Sequence, residues 1–225
     1  MEKNNKLFKL YRLYHYIFGE KFYKKINFEW NKYPSRDQII QETINRKEYK
    51  SYLEIGCFDN EVFSKIKIEN KVGVDPEKGG TIRDTSDNFF KFNKTKFDTI
   101  FIDGLHHYDQ VKKDIDNSLL FLNENGVIFL HDCMPENCIR QTVPRCSGIW
   151  NGDVWKNIVE TRTDKNLDTY VCMADHGIGI ILKRKNRNLL SLNIKSFNKL
   201  KFRDFYYNYK NYLNLVTKKD LENII

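Results

Sequence analysis

Four short apolar runs recur between residues 52 and 130, separated by polar or helix-patterned stretches. They are Tyr52-Leu53-Glu54-Ile55, Val72-Gly73-Val74, Phe97 to Ile102 and Val127 to Leu130, each of strand length. The last is continuously apolar and suits a strand buried on both faces. Between the third and fourth runs, Val111, Ile115, Leu119 and Leu122 fall on one face of a predicted helix over Tyr108 to Leu122. Asn123-Glu124-Asn125-Gly126 is expected to end it, with Gly126 as the C-terminal cap. Thr169 to Met173 and Ile178 to Leu182 flank His176-Gly177 as a hairpin. Strands alternating with helices and closing on a hairpin predict an α/β chain with a mainly parallel sheet and an antiparallel edge.

Three zones follow: a basic aromatic helical leader over residues 1–40, the α/β domain over 41–185, and a basic aromatic extension over 186–225. In the leader, Leu7, Leu10, Tyr11, Tyr14 and Phe18 recur at helical spacing. Pro34-Ser35 breaks that pattern, and Ser35 is placed to cap a second helix running through Thr43. In the extension, Phe205, Tyr206, Tyr207, Tyr209 and Tyr212 are expected to pack back on the core, and Leu213 to Ile224 to form a last helix.

The formal net charge of +8 is concentrated toward the two ends, which reads either as a solvated face or as a grip on an anionic partner. The five cysteines are odd in number and form no CxxC pair, which speaks for a reducing compartment and against structural zinc. Lys and Asn interrupt the first ten residues, so no signal peptide is expected, and no apolar run nears the ~20 residues of a membrane span. A cytoplasmic location is expected. Peripheral membrane contact through the leader and an oligomeric state are both compatible with these features.

The polar residues cluster where strands end. Glu54-Ile55-Gly56-Cys57-Phe58-Asp59-Asn60 places a glycine turn after the first strand and before an expected helix, with an acidic residue two positions ahead of the glycine. This is not the three-glycine loop of dinucleotide enzymes, which argues against a nicotinamide-dependent oxidoreductase. Asp75-Pro76 ends the second strand, where a carboxylate can accept from both hydroxyls of a ribose. Ser86-Asp87 opens the next helical segment, either as a helix cap or as a loop beside a base. Asp103-Gly104-Leu105-His106-His107-Tyr108 closes the third strand and His131-Asp132 the fourth. If those strands are neighbours, Asp103, His131 and Asp132 face one cleft. They then hold a divalent cation such as magnesium, or they orient the loops. Trp150-Asn151-Gly152-Asp153-Val154-Trp155 forms either an aromatic wall over an acceptor or a helix start with Asp153 as cap and Trp155 in the core.

These segments resemble class I S-adenosylmethionine-dependent methyltransferases over roughly residues 50 to 183. The resemblance is to the small-molecule O-methyltransferase branch of macrocin O-methyltransferase-like enzymes, which carries a Phe-Ile-Asp-Gly-x-His-x-Tyr strand end followed by His-Asp. It implies a Rossmann-like, seven-stranded, mostly parallel sheet with helices on both faces and S-adenosylmethionine as cofactor. It implies cofactor contacts from Glu54, Gly56, Cys57, Asp75, Pro76, Ser86, Asp87 and Asp103. In metal-using relatives the positions of Asp103, His131 and Asp132 hold magnesium. Two departures stand out: a histidine among those three, and a single glycine in the first loop.

The expected activity is methylation of a hydroxyl on a small molecule, with His106 or His131 as the base and Asp103 and Asp132 orienting the base or a metal. His107, Tyr108, Trp150, Asp153 and Trp155 are the candidate acceptor contacts. From the resemblance alone, the acceptor is a sugar or nucleotide-linked sugar of surface polysaccharide or natural-product biosynthesis. The alternatives are an RNA methyltransferase gripping phosphates with its basic ends, and a non-catalytic, cofactor-binding or membrane-associated scaffold. The domain lacks an Arg-rich stripe, which counts against nucleic acid.

Overall fold

A computed structural model describes residues 5–225. The strands are β1 (Ser51–Ile55), β2 (Asn70–Val74), β3 (Phe97–Ile102), β4 (Leu122–Leu130), β5 (Leu167–Cys172), β6 (Ile178–Lys183) and β7 (Leu215–Val216). The helices are α1 (Asn5–Phe18), α2 (Arg36–Lys47), α3 (Ser86–Phe92), α4 (Tyr108–Leu120), α5 (Trp155–Thr161), α6 (Phe202–Leu213) and α7 (Lys218–Ile224). One seven-stranded sheet runs in the order β2-β1-β3-β4-β6-β5-β7, with β6 antiparallel to both neighbours and every other pairing parallel. The fold is Rossmann-like and mostly parallel. The β5–β6 hairpin lies one strand inside the edge, because β7 from the C-terminal extension pairs outside β5.

Alternation along the strands builds a core on each face of the sheet. Ile128 and Leu130 point into one layer, with Val111 and Ile115 of α4, Trp155 and Ile158 of α5, and Phe202 and Phe205 of α6. Val127 and Phe129 point into the other, with Ile39, Ile40 and Ile44 of α2 and Leu221 of α7. The leader and the C-terminal extension join this packing. Phe22, Ile26, Phe28 and Trp30 lie against the first layer. Trp30 Nε1 donates to Glu136 at 3.0 Å, and Lys25 pairs with the same carboxylate at 3.1 Å. The Glu20 carboxylate accepts from the free N–H groups of Phe202 and Arg203 at the start of α6, at 2.5 and 2.6 Å. Replacing Glu20 by alanine removes the acceptor for that helix start and is expected to cost about 1 kcal/mol of unfolding free energy. Chemical denaturation reads this, and an unchanged midpoint would show that the contact carries no stability.

Several sequence-based expectations are corrected. No helix follows β1: residues 58–65 form turns, because Phe58 and Asn60 sit at φ of 45° and 65°, in the left-handed region that interrupts a helix. Helix α4 stops at Leu120, and Asn123 to Gly126 belong to β4 rather than to a loop. Leu122 pairs with Phe97, the register then shifts, and Asn125 takes φ 60°. A Cβ on Gly126 would lie 2.7 Å from the Asp98 carbonyl, so this glycine serves a close strand approach and not a helix cap. Thr85, not Ser86 or Asp87, caps α3 by accepting from the Asn88 N–H. The last stretch is not one helix: Asn214 at φ 50° ends α6, β7 follows, and Thr217 caps α7. Ser35 does start α2, its N–H donating to Gln38 Oε1 at 3.1 Å, and the helix continues to Lys47.

Candidate active site

The parallel pairing of β3 with β4 sets two strand ends side by side. Asp103 extends β3, its N–H donating to the Ile55 carbonyl at 2.8 Å, and His131 extends β4, donating to the Ile102 carbonyl at 3.1 Å. His131 Nδ1 is 3.1 Å from Asp103 Oδ1 and 3.5 Å from Asp132 Oδ2. His106 arrives from the loop after β3, with Nε2 at 3.2 Å from the same Asp103 oxygen and Nδ1 at 3.3 Å from Asp132 Oδ2. Asp103 therefore bridges two imidazoles, and Asp132 faces both from the other side. Asp132 holds φ 61°, a strained setting for a residue with a Cβ, worth about 1–3 kcal/mol. It is braced by Asn151 Nδ2, which donates to Asp132 Oδ1 at 2.7 Å, and by the Cys133 N–H, which donates to the Gly177 carbonyl at 3.0 Å.

Burial acts to raise the Asp103 pKa, but the charge of His131 and hydrogen bonds from both imidazoles outweigh it and hold the carboxyl ionised. Conversely, burial acts against charge on His131 and His106, and the carboxylates outweigh it, so both imidazoles are held toward the protonated form. His131 Nε2 also faces Asp175 Oδ1 at 3.5 Å, which places carboxylates at both of its nitrogens.

Two members of this cluster are not among the residues the sequence singles out. Arg36, in the first turn of α2, reaches Asp103 Oδ2 with Nε at 3.6 Å, Asp175 with Nη1 at 3.0 Å and Glu61 with Nη2 at 2.9 Å. Asp175 sits at φ 38° in the turn between β5 and β6. The polar Asp-His-Gly turn was the only hint of it, and nothing local marks Arg36. Asn151 lay inside a recognised motif, but its role as the brace of Asp132 was not anticipated.

The expected cofactor positions line the ends of β1 and β2. Gly56 takes φ 88°, and a Cβ there would lie 2.4 Å from the Asp103 carbonyl. The glycine thus lets the β1 turn press against the β3 strand end. Glu54 is buried, accepts from Tyr52 Oη, and is pushed up to about 7 by burial. The Cys57 thiol is buried and donates back to the Glu54 carbonyl at 3.7 Å, leaving its backbone rather than its sulfur toward the turn. Asp75 accepts from Phe58 N on Oδ2 at 2.8 Å, and from Glu77 N and Lys78 N on Oδ1 at 2.8 and 2.9 Å. A carboxylate has about four acceptor sites, so three are filled by the protein's own backbone. Pro76 is exposed beside it. Ser86 and Asp87 are tied to α4, through Gln110 Nε2 at 3.2 and 2.9 Å and, for Asp87, Lys113 at 3.1 Å.

The acceptor candidates divide. Trp150 stacks on His106 with ring centres 5.3 Å apart and meets His107 edge-on at 5.8 Å, forming a wall beside the cluster. Its Nε1 is fixed on the Thr142 carbonyl at 2.6 Å. Trp155 is corrected to a core residue: it is fully buried, 5.0 Å from Phe205, with Nε1 on Gln141 at 2.7 Å. Tyr108 is corrected too, since its hydroxyl donates to Glu160 on α5 and not into the cleft. Asp153 caps α4 from a distant loop, accepting from Tyr108 N at 2.6 Å, while Lys156 holds its other oxygen at 3.1 Å. It is structural, and it caps α4 rather than α5.

Asp103, His131 and Asp132 place one donor atom each within 4.8 Å of one another. Two carboxylate oxygens and one imidazole nitrogen, convergent, with His131 and Asp132 buried and Asp103 half-buried, suit a divalent cation that keeps positions for water or a hydroxyl. Asn151 Oδ1 is buried without a hydrogen-bond partner among the described residues, and His131 Nε2 has only its long contact with Asp175, which fits a cleft built for a polar ligand.

Residues 67–133 match a family model described as a methyltransferase domain, a span that contains Asp75, Asp103, His106, His131 and Asp132. Among solved structures, the SAH-bound methyltransferase PaMTH1 of Podospora anserina is 17% identical, with a TM-score of 0.50, covering 82% of this chain and 98% of its own. The cofactor-bound Rv0187 from MTB is 12% identical, with a TM-score of 0.50, covering 83% of this chain and 100% of its own. At these identities the likeness is one of fold. None of the curated proteins compared matches the chain.

Proposed function

We propose that this chain, whose domain is that of a class I S-adenosylmethionine-dependent methyltransferase, places the sulfonium methyl group on a hydroxyl oxygen of a small polar acceptor. The observation that carries this reading is the convergence of Asp103, His106, His131 and Asp132 at the ends of β3 and β4, one glycine turn away from Glu54 and Gly56. The sulfonium is already a good electrophile, so the protein has to align an oxygen with it and take the oxygen's proton. The S–CH3 bond breaks, the O–CH3 bond forms, the sulfur leaves as the neutral thioether, and the hydroxyl proton passes to an imidazole. His106 is the proposed base, because it lies under Trp150 at the cleft wall and its side chain keeps 15% of its surface open; a cation held by Asp103 and Asp132 would offset the carboxylate charge that favours the imidazolium and so favour the neutral, proton-accepting ring. His131, Asp103 and Asp132 would hold a divalent cation, which lowers the pKa of a hydroxyl bound to it. Arg36 and Asp175 position Asp103 and His131 from the second side.

Glu54, Gly56 and the Cys57 backbone serve the methionine end of the cofactor in this reading, and Asp75 the ribose, with Ser86 and Asp87 toward the adenine. Asp75→Ala is expected to weaken S-adenosylhomocysteine binding about tenfold or more in calorimetry, the size of a lost charge-assisted hydrogen bond. Unchanged affinity would remove the ribose assignment.

Glu54 adds a pH dependence. Its carboxyl is raised to about 7 in the cofactor-free protein, so between its ordinary value and about 7 the folded chain holds an extra proton there. That favours the cofactor-free fold at low pH and is lost as pH rises through about 7. A ligand ammonium favours the ionised carboxylate. Cofactor affinity should therefore climb with pH up to about 7, by at most roughly tenfold per pH unit, then level. Glu54→Gln should flatten the curve, and an unaltered slope in that variant would assign the proton elsewhere.

A sugar or nucleotide-linked sugar hydroxyl is the first acceptor class to assay, supported by the polar cleft beside Trp150 and by a net charge of +8, which favours approach of an anionic molecule. The test is transfer of labelled methyl from S-adenosylmethionine to a panel of free and nucleotide-linked sugars, with RNA as the competing acceptor. Label in RNA with a steep salt dependence, and none in sugars, would replace this reading with a nucleic-acid one.

A further inference from the structure

Helix α1 presents its apolar residues to the outside. Phe8, Tyr11 and His15, at i, i+3 and i+7, are half-buried against the body, where Arg145 lies 5.9 Å from the Phe8 ring. Leu10, Leu13, Tyr14, Ile17 and Phe18, at i, i+3, i+4, i+7 and i+8, form a second stripe that faces away. Their exposures are 62, 54, 53, 50 and 73%, far above what a helix keeps when its apolar face is packed. With Val143 and Pro144 this stripe lines one shallow apolar groove. Lys9, Arg12 and Tyr16 form a third, polar stripe along the same helix, and Lys6 joins them. No acidic residue lies between residues 5 and 18, and Lys21 and Lys24 continue the positive charge beyond the helix. Tyr16 and Tyr23, with rings 6.4 Å apart, are exposed amphipathic side chains of the kind that settle at a headgroup layer.

An outward apolar stripe flanked by cations, with no acidic residue on the same helix, matches one kind of surface best. A second copy of this chain would bring its own basic stripe against the first, with like charges opposed across the contact. An anionic bilayer supplies both an apolar phase and negative headgroups. No described helix is long and apolar enough to cross a membrane, so the helix would lie in the interface. We propose that the outer face of α1 docks the protein on an anionic lipid surface, with Leu10, Leu13, Ile17 and Phe18 in the acyl boundary and Lys9 and Arg12 among the phosphates. The leader is strapped to the body through Glu20 and Glu136, so docking would hold the whole domain at the membrane. This inference is independent of the methyl-transfer reading, since none of these residues touches the strand-end cluster.

The test is co-sedimentation of the full-length chain with phosphatidylcholine vesicles, alone or mixed with phosphatidylglycerol. Binding to the mixed vesicles is expected to exceed binding to phosphatidylcholine alone by roughly tenfold or more and to fall with salt. Leu10→Ser with Ile17→Ser, and separately Lys9→Glu with Arg12→Glu, should each lower it by roughly tenfold or more, with circular dichroism and any methyl-transfer activity unchanged. Binding no stronger to mixed than to neutral vesicles would overturn the proposal. So would light scattering that shows a dimer in the unaltered chain and a monomer in the Leu10/Ile17 variant, which would assign the face to a second copy.

Discussion

His106→Ala is expected to lower the methyl-transfer rate about 10²–10⁴-fold while leaving S-adenosylhomocysteine affinity nearly unchanged. The imidazole sits between Asp103 at 3.2 Å and Asp132 at 3.3 Å, under the Trp150 ring. Among the described residues it is the titratable ring that combines access from the cleft wall with two carboxylates to stabilise the charge it gains. Alanine removes the proton acceptor and leaves Glu54, Gly56 and Asp75 untouched, so the loss should fall on kcat and not on the cofactor's dissociation constant. His131→Ala is expected to be comparably damaging, through loss of the partner that keeps Asp103 ionised. The double variant should be little worse than either single one, because groups acting as a unit are not additive. Full activity in both single variants would remove the cluster from the mechanism.

Gly56→Ala is expected to unsettle the cofactor turn and the strand-end cluster together. The residue takes φ 88°, and its added Cβ would lie 2.4 Å from the Asp103 carbonyl and 2.5 Å from the Gly104 Cα. A left-handed backbone with a Cβ costs about 1–2 kcal/mol. Pushing two backbone segments apart adds about 1–3 kcal/mol. Part of that shift falls on Asp103, so cofactor affinity and turnover should both drop by more than tenfold along with the melting temperature. Gly104→Ala is the internal control for stability, since its Cβ would come no closer than 3.5 Å to any neighbour, at Ile55 Cγ2, an ordinary contact. Equal melting temperatures for the two variants would show that the β1 turn tolerates a side chain and that the close approach is not required.

The strand ends were legible because they combine two strong local signals. Phe97 to Ile102 and Val127 to Leu130 are apolar runs that stop abruptly on Asp103 and on His131-Asp132, and parallel pairing of neighbours does the rest. Other residues failed for definite physical reasons. Asn123 to Gly126 has turn composition, yet a register shift after Phe97 and the bare Cα of Gly126 let it pair as strand. Leu215 and Val216 are too few to show a period, and their strand exists only because Val171 and Cys172 offer an open edge. Tyr108 and Trp155 each stand at a helix start next to site residues. Which way their side chains turn, toward Glu160 and toward Phe205, is decided by tertiary packing that spacing does not encode. Arg36 and Asp175 come from a helix start and a hairpin turn that are joined to the site only by the folded sheet.

The most direct measurement is a crystal structure of the chain soaked with S-adenosylhomocysteine and magnesium. The thioether sulfur is expected at the Gly56 turn, facing His106, with the ribose on Asp75 and the metal on Asp103, His131 and Asp132. A ligand bound away from the ends of β1 to β4, or a sulfur turned from the Asp103–His106–His131–Asp132 cluster, would contradict it.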